Sequence, residues 1–134
     1  MLTFTPPSSE FSPAIFVYNA LRGRIDHIFH SIHQLYAFCS RQLYLVSEDG
    51  LAFLLSKGQN LVILPKEVFG PACGIIPVGE PNVITTKGLV WDVSDWETSF
   101  GGRMSTSNLL KEETVNVMAK ELVLFTVEIK KESF

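Results

Sequence analysis

From Gly50 onward the sequence has no stretch in which apolar residues recur at steps of three and four. Short apolar runs follow one another instead, at residues 51–55, 61–64, 74–78, 83–86, 89–93, 115–118 and 122–129. Gly58, Pro65, Gly70, Pro71, Gly79 and Pro81 punctuate them. A helix needs its period kept over about ten residues, whereas a strand needs only four to eight between turns, so this half is predicted to be an antiparallel sandwich or barrel. The last run alternates: Val123, Phe125, Val127 and Ile129 point one way, Leu124, Thr126, Glu128 and Lys130 the other.

The first third reads differently. Residues 14–18 are almost wholly apolar, as in a strand covered on both faces. The loop 19–23 follows, and a helix is expected from near Arg24. Ile25, Ile28, Phe29, Ile32, Leu35, Tyr36 and Cys39 form its apolar stripe. Residues 43–46 read as the next strand, parallel to the first, which completes a βαβ unit. A single helix covers one face of two strands, so the apolar strand 14–18 is expected to stay partly exposed unless other residues of a longer parent protein, or another chain, cover it.

At 134 residues, with 46% hydrophobic and 19% charged side chains, the chain is long and apolar enough for a packed core. A net charge of −3 offers no footprint for nucleic acid or an anionic membrane. No apolar run approaches the roughly 18 residues of a membrane span. The N-terminus has no basic segment and holds Pro6, Pro7 and Pro13; it reads as an irregular arm over residues 1–13. Cys39 and Cys73 are too few for a disulfide framework and are expected as two buried free thiols in a reducing compartment, so the chain is expected to be cytoplasmic.

Two stretches offer chemistry. The loop 19–24 lies between a strand and a helix N-terminus, where free N–H groups, the helix dipole, Arg22 and Arg24 favour a phosphate. The stretch 85–108 sets Trp91 and Trp96 beside Gly101, Gly102 and the small polar run from Ser105 to Asn108, groups suited to a flat, polar organic ligand. Read locally, residues 89–93 are a strand, both tryptophans fit a sandwich core or rim, and 105–108 fits a turn. His27, His30 and His33 are read as helix-surface residues, because the first and last lie about 240° apart around a helix. Asp95 reads as a turn residue, and Asp92 has no partner base.

Arg24-Ile25-Asp26-His27, Cys73-Gly74-Ile75-Ile76-Pro77-Val78-Gly79, Thr85-Thr86-Lys87-Gly88-Leu89-Val90-Trp91 and Ser105-Thr106-Ser107-Asn108 stand in the order and spacing of the thiamine pyrophosphokinases (thiamine diphosphokinases). From about residue 15 to 129 the chain resembles that family, fungal members in particular. The resemblance implies an α+β fold: a truncated α/β part with one βαβ unit, then an antiparallel, jelly-roll-like β-sandwich that binds thiamine. It divides the chain into an arm (1–13), a remnant of the ATP-binding α/β domain (14–50) and the thiamine-binding sandwich (51–134). It implies transfer of pyrophosphate from ATP to thiamine, giving thiamine diphosphate and AMP, with Mg²⁺, in a homodimer whose site lies between the α/β domain of one subunit and the sandwich of the other. By resemblance Trp91, Ser105 and Asn108 bind thiamine, Gly23 and Arg24 bind the nucleotide, and Asp26 is catalytic.

Two departures accompany it. The family loop usually reads Gly-Gly-Leu-Gly-Gly-Arg, and Arg22 stands here at one of its glycines. Only Glu10 is acidic before Asp26, whereas the family carries an Asp-rich metal-binding segment upstream. No metal ligand is therefore assigned in this chain, which is expected to be a C-terminal portion and a poor catalyst alone. The alternative is a non-catalytic regulatory module that pairs with a full-length subunit.

Overall fold

The computed structural model describes residues 13–131; the expected arm lies outside them except for Pro13. Strand β1 (Ala14–Tyr18), helix α1 (Ile25–Ala37) and strand β2 (Gln42–Val46) form the expected βαβ unit, with β1 and β2 parallel and Phe16 opposite Tyr44. The Ser47 hydroxyl accepts the N–H groups of Asp49 and Gly50 and turns the chain into β3 (Gly50–Leu55), which pairs antiparallel with β2. One hydrogen-bonded sheet thus runs unbroken across residues 50 and 51.

The remaining strands are β4 (Gly58–Ile63), β5 (Phe69–Ile76), β6 (Asn82–Lys87), β7 (Trp96–Thr98), β8 (Ser105–Leu109), β9 (Thr114–Ala119) and β10 (Val123–Ile129). They build a six-stranded sheet in the order β1-β2-β3-β10-β5-β8 and a four-stranded sheet in the order β4-β9-β6-β7. From β3 to β10 the chain keeps crossing between the two, so of the sandwich or barrel that the runs implied, the structure is a sandwich. Two local expectations are corrected. Residues 89–93 are a turn with a single bridge, Leu89 to Leu110, because the Asp92 carboxylate folds the chain back on itself. Residues 105–108 belong to strand β8, not a turn, and pair with β5 through Cys73 and Ile75. Strand β7 comes from a stretch with no apolar alternation.

Between the sheets lies the main core, in which Phe53 and Phe125, 1% and 0% exposed, meet at 5.4 Å between ring centroids. Side chains of this size contribute about 1.5–3 kcal/mol each on full burial. The opposite face of β2, β3 and β10 offers Leu45, Ala52 and Leu124 to α1, where Leu35 seats against them with Ile32 beside it. The alternation along β10 therefore feeds two cores, with Phe125 in one and Leu124 in the other. The predicted helix stripe is only half used: Ile25 and Phe29 are 70% and 59% exposed. Cys39 lies past the end of α1 and is exposed, which corrects the expectation of two buried thiols; Cys73 is buried. On β1, Phe16 and Tyr18 are 49% and 70% exposed, as expected of a strand with one face uncovered.

Candidate functional site

At the carboxyl end of β1 the loop 19–24 leads into the N-terminus of α1. Gly23 has φ +90°, and a Cβ there would meet nothing within 4 Å, so the backbone dihedral and not space favours glycine. Arg24 occupies the N-cap position in an extended conformation, with no side-chain cap on the first turn. Its guanidinium faces Asp26 instead, Nε donating to Oδ1 at 3.0 Å and Nη2 to Oδ2 at 2.6 Å. Arg22 reaches Glu48 at 3.9 Å, with both side chains exposed. The three candidates Gly23, Arg24 and Asp26 thus stand together. An anion entering this loop would find two guanidiniums and an uncapped helix start. The helix histidines are exposed as expected, His30 and His33 tilted at 5.5 Å.

The second group forms around the turn after β6. Leu89 is buried and anchors it, Val90 N–H donates to the Leu109 carbonyl, and Lys111 and Glu112 N–H donate to the Gly88 carbonyl. Gly88 takes φ +109°, and a Cβ there would lie 2.5 Å from the Thr114 carbonyl oxygen. Asp92 closes the turn: Oδ1 accepts from Thr86 Oγ1 and Leu89 N, both at 3.0 Å, and Oδ2 from Gly88 N at 3.2 Å. Three donors thus converge on one carboxylate and hold the turn closed. Sequence reading missed that role; the signal was an acid three to six residues beyond Thr86, Gly88 and Leu89 in a turn-rich segment.

Trp91 rides on this turn with 59% of its surface exposed. From β8, Asn108 Oδ1 accepts the Trp91 N–H at 3.2 Å, and Nδ2 donates to the Trp91 carbonyl at 3.1 Å and to Ser105 Oγ at 3.3 Å. Trp91, Ser105 and Asn108 are therefore one connected group. Trp96 stands apart, packed against the main core with Arg103 5.0 Å over its ring, in the structural role expected of it. Asp95, at φ +45°, donates its N–H to Thr85 Oγ1 and is a turn residue. On the other side of the Asp92 turn, a groove of about 760 Å³ is lined by Lys66, Lys87 and Lys111 together with Glu112 and Glu113, a mixed surface with no single sign.

The two groups do not meet. Arg24 and Asp26 follow β1 at one edge of the six-stranded sheet, whereas Ser105 and Asn108 lie in β8 at the other. Five interstrand spacings separate these edges, roughly 24 Å at about 4.8 Å each. That exceeds the reach of one small ligand. Among the described residues no three His, Cys, Asp or Glu side chains stand close enough to hold a metal ion, and the Asp26 carboxylate already faces Arg24, so these residues do not fit a Mg²⁺ site. No helix among them is long and apolar enough to cross a membrane.

Residues 60–124 match the family model described as "Thiamin pyrophosphokinase, vitamin B1 binding domain". Thiamine pyrophosphokinase 1 of Oryza sativa subsp. japonica is 39% identical over 132 residues, covering 96% of this chain and 50% of the relative. Thiamine pyrophosphokinase 1 of Arabidopsis thaliana is 43% identical over 114 residues, covering 84% of this chain and 43% of the relative. The crystal structure of yeast thiamin pyrophosphokinase superposes with a TM-score of 0.82 at 30% identity, over 89% of this chain and 41% of that one. The likeness thus extends from fungi to plants. The chain spans about half the length of the curated relatives it matches.

Proposed function

The chain belongs to the thiamine pyrophosphokinase family, and on that footing we propose that it supplies two separate halves of a thiamine diphosphokinase site, each completed by a second subunit. Residues 51–134 form the thiamine half, with Trp91, Ser105 and Asn108. Residues 14–50 form the nucleotide half, with Gly23, Arg24 and Asp26. The single observation that carries this reading is the distance between the halves, roughly 24 Å across five strand spacings. A homodimer that sets the helix start of one subunit against the Trp91 turn of the other closes that gap.

In such a site the thiazolium ring of thiamine, a cation, lies on the exposed indole of Trp91, an interaction of about 0.5–2 kcal/mol. The hydroxyethyl oxygen attacks the β-phosphorus of ATP; its new O–P bond forms as the bond to AMP breaks, and its proton passes to the Asp26 carboxylate. Arg24, released from Asp26, moves to the phosphates, where its planar fork can hold two oxygens. The free thiols suit a reducing cytoplasm.

Calorimetric titration with thiamine tests the thiamine half. Wild-type chain is expected to give measurable heat and Trp91→Ala to lose it; equal isotherms would remove Trp91 from the site. A second reading, a module that pairs with a full-length subunit without turnover of its own, draws support from the exposed Phe16 and Tyr18 of edge strand β1. Robust AMP formation by the pure chain would exclude it.

A further inference from the structure

We propose that Asn108 is a positioning residue: it holds the main chain of Trp91 so that the indole stands ready for a flat cationic ligand, and it does not touch that ligand itself. The ligand part of this inference rests on the thiamine reading above; the part that concerns Trp91 does not.

The hydrogen-bond inventory of one side chain carries it. A carboxamide has two N–H groups and two lone pairs on its oxygen. In Asn108, Oδ1 accepts from Trp91 N at 3.2 Å and Leu109 N at 2.9 Å, and Nδ2 donates to Trp91 O at 3.1 Å and Ser105 Oγ at 3.3 Å. Every position is engaged by the protein, and the residue is 5% exposed. Both ends of the amide are turned into the protein, and a ligand would have to compete with a bond already made. Ser105 differs: its oxygen accepts from Asn108, which leaves the hydroxyl proton to donate, and the residue is half-buried. The polar contact to a ligand therefore falls to Ser105.

Two other buried asparagines show what this side chain does in the same fold. Asn60 ties the turn between β3 and β4, accepting from Ser56 N and Oγ and donating to the carbonyls of Ser56, Gly58 and Val117. Asn82 ties the turn before β10, accepting from Lys120 N and Glu121 N and donating to Glu121 O. In each case the amide replaces backbone partners that a buried turn lacks. Asn108 follows this pattern with one difference. Its object, 17 residues away in sequence, is a turn that ends in a bare aromatic plate.

Both main-chain polar groups of Trp91 go to one amide, so its peptide units cannot rotate without breaking two bonds. Asp92 fixes the preceding residues through Leu89 N, Gly88 N and Thr86 Oγ1. The indole itself has no ring or cation partner among the described residues. A main chain clamped on both sides beneath an exposed ring is a preformed surface, which lowers the ordering cost of binding.

The test uses the full chain with Trp96→Phe, so that Trp91 is the sole indole. Fluorescence anisotropy without ligand is compared for Asn108, Asn108→Ala and Asn108→Asp, followed by thiamine titration. Asn108→Asp keeps both acceptor bonds, loses both donations, and keeps the experiment interpretable where Asn108→Ala fails to fold. Anisotropy is expected to fall in each folded variant, and thiamine affinity to fall about five- to tenfold, the equivalent of a lost hydrogen bond or two. In a Trp91→Ala background Asn108→Asp should have no further effect on affinity. Direct contact would instead bring a carboxylate against a cation, and the affinity of Asn108→Asp would hold or rise. That result, or unchanged anisotropy, would overturn the proposal. If wild type and Trp91→Ala bind thiamine equally while anisotropy still falls, the thiamine reading fails and the positioning of Trp91 stands.

Discussion

Arg24 and Asp26 hold each other in a two-point ion pair, Nε to Oδ1 at 3.0 Å and Nη2 to Oδ2 at 2.6 Å, with side chains 71% and 63% exposed. Exposed pairs contribute about 0–1 kcal/mol, since water screens the attraction and ordering two long side chains opposes it. Asp26→Asn should therefore lower the unfolding free energy read from urea titration by less than about 1 kcal/mol. In a competent assembly the same change should abolish AMP formation while nucleotide affinity holds, because Arg24 is freed. A large loss of stability would mark the pair as structural.

Gly88 and Gly101 both have positive φ, but their surroundings differ. A Cβ at Gly88 would lie 2.5 Å from the Thr114 carbonyl oxygen, and one at Gly101 would meet nothing within 4 Å. Gly88→Ala should cost at least about 3 kcal/mol, combining strain with a backbone clash. Gly101→Ala should cost only about 1–2 kcal/mol, the dihedral penalty alone. Chemical denaturation of the two variants, side by side, reads the difference.

The helix offers a similar contrast. Leu35 is 2% exposed and packs on Leu45, Ala52 and Leu124, whereas Phe29 is 59% exposed. Leu35→Ala should cost about 2–5 kcal/mol and Phe29→Ser about 0.5 kcal/mol or less. Thermal unfolding would show equal losses if the whole predicted stripe were buried in solution.

Burial pushes the Cys73 thiol up to about 11 and the Tyr44 phenol up to about 12. Both groups are neutral when protonated, so the folded state holds their protons to higher pH than the unfolded chain does. Their contribution to stability is complete below about pH 9, declines as pH rises, and is gone once pH passes the folded values. The urea midpoint should fall steadily between pH 9 and 11, and Cys73→Ala should flatten the first part of that fall. Iodoacetamide at neutral pH should label exposed Cys39 alone in the native chain.

Much of the molecule was legible in the residues. Gly/Pro punctuation and the alternation of β10 marked a sandwich, and the steps of three and four after Arg24 marked α1. The misses share a cause. Residues 89–93 have β-branched and aromatic side chains suited to a strand, yet Asp92 takes three hydrogen-bond donors from its own turn and bends the chain away. Ser105 to Asn108 look like a turn because they are small and polar, yet Cys73 and Ile75 of β5 pair with them into an edge strand. Local propensity of about 1 kcal/mol yields to a ladder of bonds supplied by a distant strand.

The sequence by itself determined most of the kinds of element and the family. It did so because periodicity, turn chemistry and short motifs are local. Only the tertiary structure decided that the Arg24 and Trp91 groups lie at opposite edges of one sheet, since strand order depends on which distant runs pair: β10 inserts between β3 and β5, and β9 between β4 and β6. It also decided what Asn108 does. An asparagine in a polar run is free to contact a ligand until folding brings the main chain of Trp91 against both ends of its amide.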